Sequence, residues 1–263
     1  DFIFLIFLGI ATSLSLPPLN YLIINFITLS LLFIFLVKKL EKTKNKKLFF
    51  LYGWLFGFGY FLTNLYWISI SLTFDKNFKF LIPLAVILIP AFLAIFYGLV
   101  SYLLSLIKPK KILSSFLIFS LIFGVIEFIR GTILTGFPWN LIAYSFSNQL
   151  EVLGIISIIG TYGFNLFCIS LFTSPAIFVL RKTRKDIATC VFFLISIFFF
   201  YFYGLSYKEQ FNKAEKNDYD YKIRVIGSKV GLDRFYKNID SVSVIQDLIK
   251  VSNPDTSQKT IFL

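Results

Sequence analysis

The sequence predicts an α-helical polytopic membrane bundle of about seven transmembrane helices, followed by the start of an α/β domain. Three observations predict it. Mean hydropathy is +0.78 and 57% of residues are hydrophobic, while charged residues make up only 15%, well outside the range of soluble domains. Apolar runs recur at about the length a bilayer demands, ~20 helical residues. Lysine and arginine alternate between connections in the manner of a membrane topology signal.

The apolar runs cover residues 2–16, 19–37, 48–74, 80–107, 112–135, 152–180 and 187–206. The first is short, as a missing N-terminal piece or a re-entrant segment would make it. Pro17-Pro18 separates it from the second, because proline breaks a helix and restricts the residue before it. Pro83, Pro90 and Pro175 fall inside or near the ends of spans, where they are tolerated as kinks. The chain reads as a fragment, since it contains no Met and begins inside an apolar run.

Residues 38–47 carry six basic side chains, residues 108–111 three and residues 181–185 four. The alternate connections, 17–20, 75–79 and 136–150, carry none, two and none. The positive-inside rule assigns the first set and the N-terminus to the cytoplasm, and residues 207–263 to the other side. The net charge of +12 is therefore mainly a topology signal, and no nucleic-acid partner is expected.

The domain organisation follows. Residues 1–206 form the transmembrane helical domain and residues 207–221 a polar linker. Residues 222–263 begin an outward-facing domain. Residues 221–227 read as a strand and residues 240–251 as an amphipathic helix with Val242, Ile245, Leu248 and Ile249 on one stripe. Residues 259–263 open a second strand. So short a stretch cannot close an α/β core by itself.

Composition removes several chemistries. The chain has no His, so His triads, His zinc sites and His proton shuttles are excluded. Cys168 and Cys190 fall in apolar spans and read as inert buried thiols. No serine has a base at suitable spacing, and no carboxylate cluster suits a metal. No cofactor is expected.

The most informative stretch is residues 127–140, EFIRGTILTGFPWN. Glu127 and Arg130 are spaced i, i+3 and can pair, and charge inside a span is costly enough to be placed for a reason. One reading is a structural pair that orders the bundle. The other is a site for a phospholipid headgroup, with Arg130 reaching toward the rim. Phe137, Pro138, Trp139 and Asn140 form a tight loop whose Trp139 reads either as part of an aromatic belt or as part of a lipid-access rim. Tyr66 and Trp67 end the third span on the same side. Gly53 and Gly57 form a GxxxG pair suited to helix packing. Tyr162, Gly163 and Asn165 interrupt the sixth span and suit interhelical hydrogen bonds.

Four blocks together resemble the apolipoprotein N-acyltransferase family: Leu14-Ser15-Leu16-Pro17-Pro18-Leu19-Asn20; Gly53-Trp54-Leu55-Phe56-Gly57-Phe58-Gly59-Tyr60-Phe61 leading to Leu65-Tyr66-Trp67-Ile68; Ile126 to Gly131 through Thr135 to Asn140; and Ile159-Gly160-Thr161-Tyr162-Gly163. The third block is fairly specific, and the set in order is strong. The resemblance implies a bacterial inner-membrane enzyme whose C-terminal domain is periplasmic and nitrilase-like. It implies acyl transfer from a phospholipid donor, through a cysteine thioester, to a diacylglyceryl-modified apolipoprotein acceptor. The family's Glu, Lys and Cys would all follow Leu263. A functionally important Trp of the family would fall on Phe235, which lacks the indole N–H. Where many members have Gln-x-Asn, this sequence has Gly227-Ser228-Lys229. Tyr66, Trp67, Glu127, Arg130, Phe137, Pro138, Trp139, Asn140 and Phe235 are the substrate- and lipid-access candidates. A transporter or channel with an outer domain, or a non-catalytic membrane scaffold, are the alternatives from other classes.

Overall fold

The computed structural model describes residues 1–134, 136–180, 183–213, 222–225, 241–253 and 260–262. They fall into two compact units, Asp1–Asn212 and Lys213–Leu263.

The first unit is a helical bundle. Its helices are α1 (Phe2–Ser13), α2 (Ile23–Lys42), α3 (Lys46–Leu65), α4 (Ile82–Ile107), α5 (Ile112–Thr132), the single turn α6 (Leu150–Leu153), α7 (Ile156–Leu180) and α8 (Arg184–Lys213). Among the described residues, six segments are long and apolar enough to cross a membrane, and α1 is a shorter apolar helix. At 12 residues and ~1.5 Å per residue, α1 is about 18 Å long, below the ~30 Å of a hydrocarbon core. The expectation of about seven spans thus becomes six span-length helices and one short one.

Several boundaries move for local reasons. The third apolar run does not stay α-helical to residue 74. After Leu65 it tightens into 3-10 turns, Tyr66–Thr73 and Lys76–Leu81, with Asp75 accepting from the Asn77 amide at 2.9 Å. The sixth run is broken twice: α6 stands apart, and Gly160 interrupts α7 at φ 70° and ψ 169°. That backbone is open essentially to glycine alone. The last helix continues to Lys213, into the stretch read as linker. Lys, Glu and Gln there favour helix, and Lys208 is bonded to Glu151 at 2.9 Å.

The bundle is held by close backbone approach and interlocked aromatics. A Cβ on Gly9 would lie 2.0 Å from the Phe56 carbonyl oxygen, and one on Gly59 would lie 2.2 Å from that of Ile6. A Cβ on Gly53 would lie 2.1 Å from the Tyr97 carbonyl oxygen. Small residues let α3 sit directly against α1 and α4, as the GxxxG spacing predicts, and tight packing drives helix association in lipid. Trp54 Nε1 donates to the Ala91 carbonyl at 2.9 Å. Tyr97 lies at the centre, its ring against those of Tyr60, Phe61 and Phe123. Phe26 meets Phe172 edge-on at 4.8 Å, and Ser30 Oγ donates to the Phe172 carbonyl at 3.0 Å, joining α2 to α7. Helix α8 attaches through Phe193 and Phe200 against Phe167.

In the second unit, β1 (Lys222–Arg224) and β2 (Thr260–Phe262) pair in parallel, with Ile223 opposite Ile261. Helix α9 (Ser241–Ser252) lies between them in sequence. The expected apolar stripe of α9 is largely exposed at Val242, Ile245 and Ile249. Instead α9 turns inward the line of Val244, Leu248 and Ser252, spaced by four residues as one helix face requires. Residues 227–229 and Phe235 lie outside the described residues.

Candidate functional site

Helix α5 ends at Thr132, so Arg130 sits in its last turn, where the helix dipole favours a cation. Its guanidinium grips Glu127 in a fork: Nε donates to Oε1 at 3.2 Å and Nη2 to Oε2 at 2.7 Å. Both side chains are 0% exposed. Bidentate geometry is the strong form of this pairing, and it suits arginine.

The remaining donors turn to the loop. Nη1 donates to the Phe137 carbonyl at 2.7 Å and to the Trp139 carbonyl at 2.9 Å. The Phe137 amide in turn donates to the Arg130 carbonyl at 3.0 Å, and the Ile133 amide to the Ile129 carbonyl at 2.9 Å. These bonds satisfy carbonyls that the end of a helix otherwise leaves open. Guanidinium carbon Cζ lies 5.3 Å from the Phe61 ring centroid and 5.9 Å from that of Phe137, within cation–π range.

The loop sequence is suited to this fold. Gly136 has φ 79°, and a Cβ there would lie 2.4 Å from the Gly131 carbonyl oxygen. Pro138 has no amide to satisfy and a fixed φ. Asn140 takes the left-handed region at φ 60°, which asparagine tolerates best after glycine. Its carbonyl accepts from Tyr60 Oη at 2.8 Å. Trp139 stacks on Trp67 with centroids 5.4 Å apart and planes 19° from parallel, and Phe137 lies 5.4 Å from Trp139.

The structure thus gathers Glu127, Arg130, Phe137, Trp139, Asn140 and Trp67, with Pro138 in the loop. Arg130 turns inward rather than out to the rim. Tyr66 stays on the exposed face at 59%. Tyr60 and Phe61 were not singled out as site residues, although both lie inside the glycine-rich block. Their mid-span position gave no sign that a loop far along the chain would close on them.

Beside the ion pair lies a cavity of about 340 Å³. Ile89, Phe92, Leu93 and Phe96 of α4 form one wall, and Arg130, Ile133 and Phe137 lie opposite. The α4 wall is apolar. The enclosed ion pair has no free nucleophile or base to offer. Cys168 and Cys190 are free and buried, and no group of three His, Cys, Asp or Glu suited to a metal occurs among the described residues.

Fold and site define a polytopic helical membrane protein with a neutralised, buried charge pair beside stacked tryptophans. Residues 8–174 match the model of the apolipoprotein N-acyltransferase N-terminal domain. The chain belongs to the apolipoprotein N-acyltransferase family. It is 34% identical over 191 residues to the apolipoprotein N-acyltransferase of Rhizobium etli, covering 70% of this chain and 35% of that protein. The Rickettsia prowazekii protein of the same name is 36% identical over 182 residues, covering 68% of this chain and 35% of its own. That of Rhodopseudomonas palustris is 35% identical over 175 residues, covering 65% and 32%. The chain spans about a third of the length of the curated relatives it matches.

Proposed function

We propose that this chain is the membrane part of an acyltransferase that completes bacterial lipoproteins by N-acylating their N-terminal S-diacylglyceryl cysteine. The observation that carries the reading is the family match over residues 8–174. The apolar cavity between Phe92 and Phe137 supports a role in admitting an acyl chain from a phospholipid donor.

In the proposed reaction a cysteine thiol gives up its proton, the thiolate attacks the phospholipid ester carbonyl, and the lysophospholipid oxygen takes up that proton as its bond to the acyl carbon breaks and it leaves as an alcohol. The α-amino group of the acceptor then attacks the thioester, forms the amide, loses a proton and regenerates the thiol. Covalent relay of this kind divides one hard step into two easier ones. Cys168 and Cys190 are not that thiol, because both are buried within span-length helices of the bundle. The reactive Glu, Lys and Cys belong to a periplasmic nitrilase-like domain that β1, α9 and β2 begin. The protein resides in the inner membrane with its N-terminus in the cytoplasm, as the lysine distribution favours. Tyr66, Trp67, Pro138 and Trp139 form the rim where lipid enters, and Phe235 is a further candidate for substrate access.

Mass spectrometry of lipoprotein N-termini tests this reading in cells depleted of their own N-acyltransferase and supplied with the gene from which this chain derives. Restored N-acylation is the expected result. Lipoproteins that remain diacylated, although the protein reaches the membrane, would refute it. Phe92→Trp, which fills the cavity, should slow acyl transfer while leaving the fold intact.

A further inference from the structure

At the lysine-rich end of the bundle the last turn of α2 faces the α4–α5 connection across a cleft of about 600 Å³. Val37, Leu40, Ile112 and Leu180 line it with apolar surface, and Lys38, Lys108 and Lys110 stand exposed around it beside one carboxylate, Glu41. Among the described residues no ion pair engages these three lysines, whereas the neighbouring Lys39 pairs with Asp1. Lys108 also borders a second cleft of about 220 Å³, with Thr43, Lys44, Lys46 and Ser105.

The backbone at Lys108 is unusual. It closes α4 in the left-handed conformation, φ 48° and ψ 58°, with its amide bonded to the Leu104 carbonyl at 3.0 Å. Glycine is the residue that suits this position, because a Cβ is strained there. A lysine thus stands at a position that suits glycine, and its side chain borders both clefts. A topology signal needs basic residues only somewhere in the connection. It does not need them gathered from two connections around a cavity with an apolar wall.

We propose that this cleft binds the phosphate of an anionic phospholipid headgroup, with the lipid's acyl region against Val37, Leu40, Ile112 and Leu180. Basic pockets between membrane helices recognise anionic headgroups in this way. The chemistry shared with a soluble phosphate ester is the phosphate monoanion or dianion. The apolar wall favours the lipid as its source. The proposal is independent of the acyl-transfer reading and concerns the opposite end of the bundle from Trp139.

The test is native mass spectrometry and thermal unfolding of the chain in neutral detergent, with phosphatidylglycerol, phosphatidylcholine or glycerol 3-phosphate added. Phosphatidylglycerol should be retained and should raise the unfolding temperature, and phosphatidylcholine should do neither. At ~1 kcal/mol per lysine near an anionic lipid surface, Lys108→Gly should weaken phosphatidylglycerol binding about fivefold, and combining it with Lys38→Gln and Lys110→Gln about a hundredfold. Lys108→Gly should leave the lipid-free unfolding temperature unchanged or higher, since it relieves backbone strain, so lost binding cannot be ascribed to lost fold. Lys42→Gln with Lys47→Gln, at the same end but outside the cleft, should change binding less than twofold if the cleft and not general charge is responsible. Equal retention of the two lipids, an equal loss in the Lys42/Lys47 variant, or stabilisation by glycerol 3-phosphate at the concentration that suffices for phosphatidylglycerol would each overturn the assignment.

Discussion

Arg130 and Phe137 are joined by two hydrogen bonds that run in opposite directions. The Phe137 amide donates to the Arg130 carbonyl at 3.0 Å, and the Arg130 guanidinium donates back to the Phe137 carbonyl at 2.7 Å. The loop is thereby latched to the end of α5 through backbone and side chain together. Glu127 neutralises the charge that makes the latch possible.

Removing one partner of the buried pair should be severe. Glu127→Gln leaves a guanidinium without a counter-charge, and such changes cost about 3–5 kcal/mol. A drop in the unfolding temperature of the purified chain checks this. Replacing Glu127 and Arg130 together by leucine should recover part of that loss, because no charge is then stranded, yet it should still free the loop.

Arg130→Lys keeps the charge but not the fork. A lysine cannot serve two carboxylate oxygens and two carbonyls in this geometry. The Trp67–Trp139 stack should loosen, seen as a red shift in tryptophan emission. Unchanged emission would mean that the carbonyl bonds do not hold the loop.

Gly136→Ala meets both a left-handed backbone and the Gly131 carbonyl oxygen at 2.4 Å. Strain of this kind costs about 1–3 kcal/mol. Loop opening should make Trp139 accessible to a water-soluble quencher, while helix content measured by circular dichroism stays constant.

Gly9→Ala and Gly59→Ala should each push α1 away from α3, since their added methyls would lie 2.0 Å and 2.2 Å from carbonyl oxygens. Overpacking costs about 1–3 kcal/mol. Cysteine crosslinking between the two helices should lose efficiency. Gly163→Ala, with its nearest neighbour at 3.4 Å, should behave as wild type.

The junction of α6 with α8 should respond to acid. The hydrogen bond from Lys208 holds the Glu151 carboxyl below its ordinary value. A depressed carboxylate stabilises the folded form fully above its unfolded pKa, about 4.3, and the contribution fades as pH falls through the lower folded value. Hydrogen exchange at residues 150–155 should quicken in that acid window. Lys208→Gln should quicken it already at neutral pH and remove the acid dependence.

Much of the bundle was legible in the chain. Most apolar runs end at charged residues, and the first ends at Pro17-Pro18, because lipid excludes both charge and unpaired backbone, and this holds for any packing of the helices. The GxxxG spacing of Gly53 and Gly57 likewise announced a close approach. The Gly160 break was less legible, because its apolar neighbours read as continuous helix. Helix α9 was legible as an amphipathic helix, but which of its faces turns inward depends on what packs against it.

At the candidate site the division is sharp. Sequence alone determined that Glu127 and Arg130 share a helix face and that a rigid Gly-Phe-Pro-Trp-Asn loop follows, because helical period and proline geometry are local. It also carried the family resemblance. Only the tertiary structure decided that the guanidinium turns inward, that Tyr60 and Phe61 from another helix complete its surroundings, and that Trp67 meets Trp139. Those outcomes depend on which helices become neighbours, and burial makes an arginine satisfy its donors inside the bundle rather than in water.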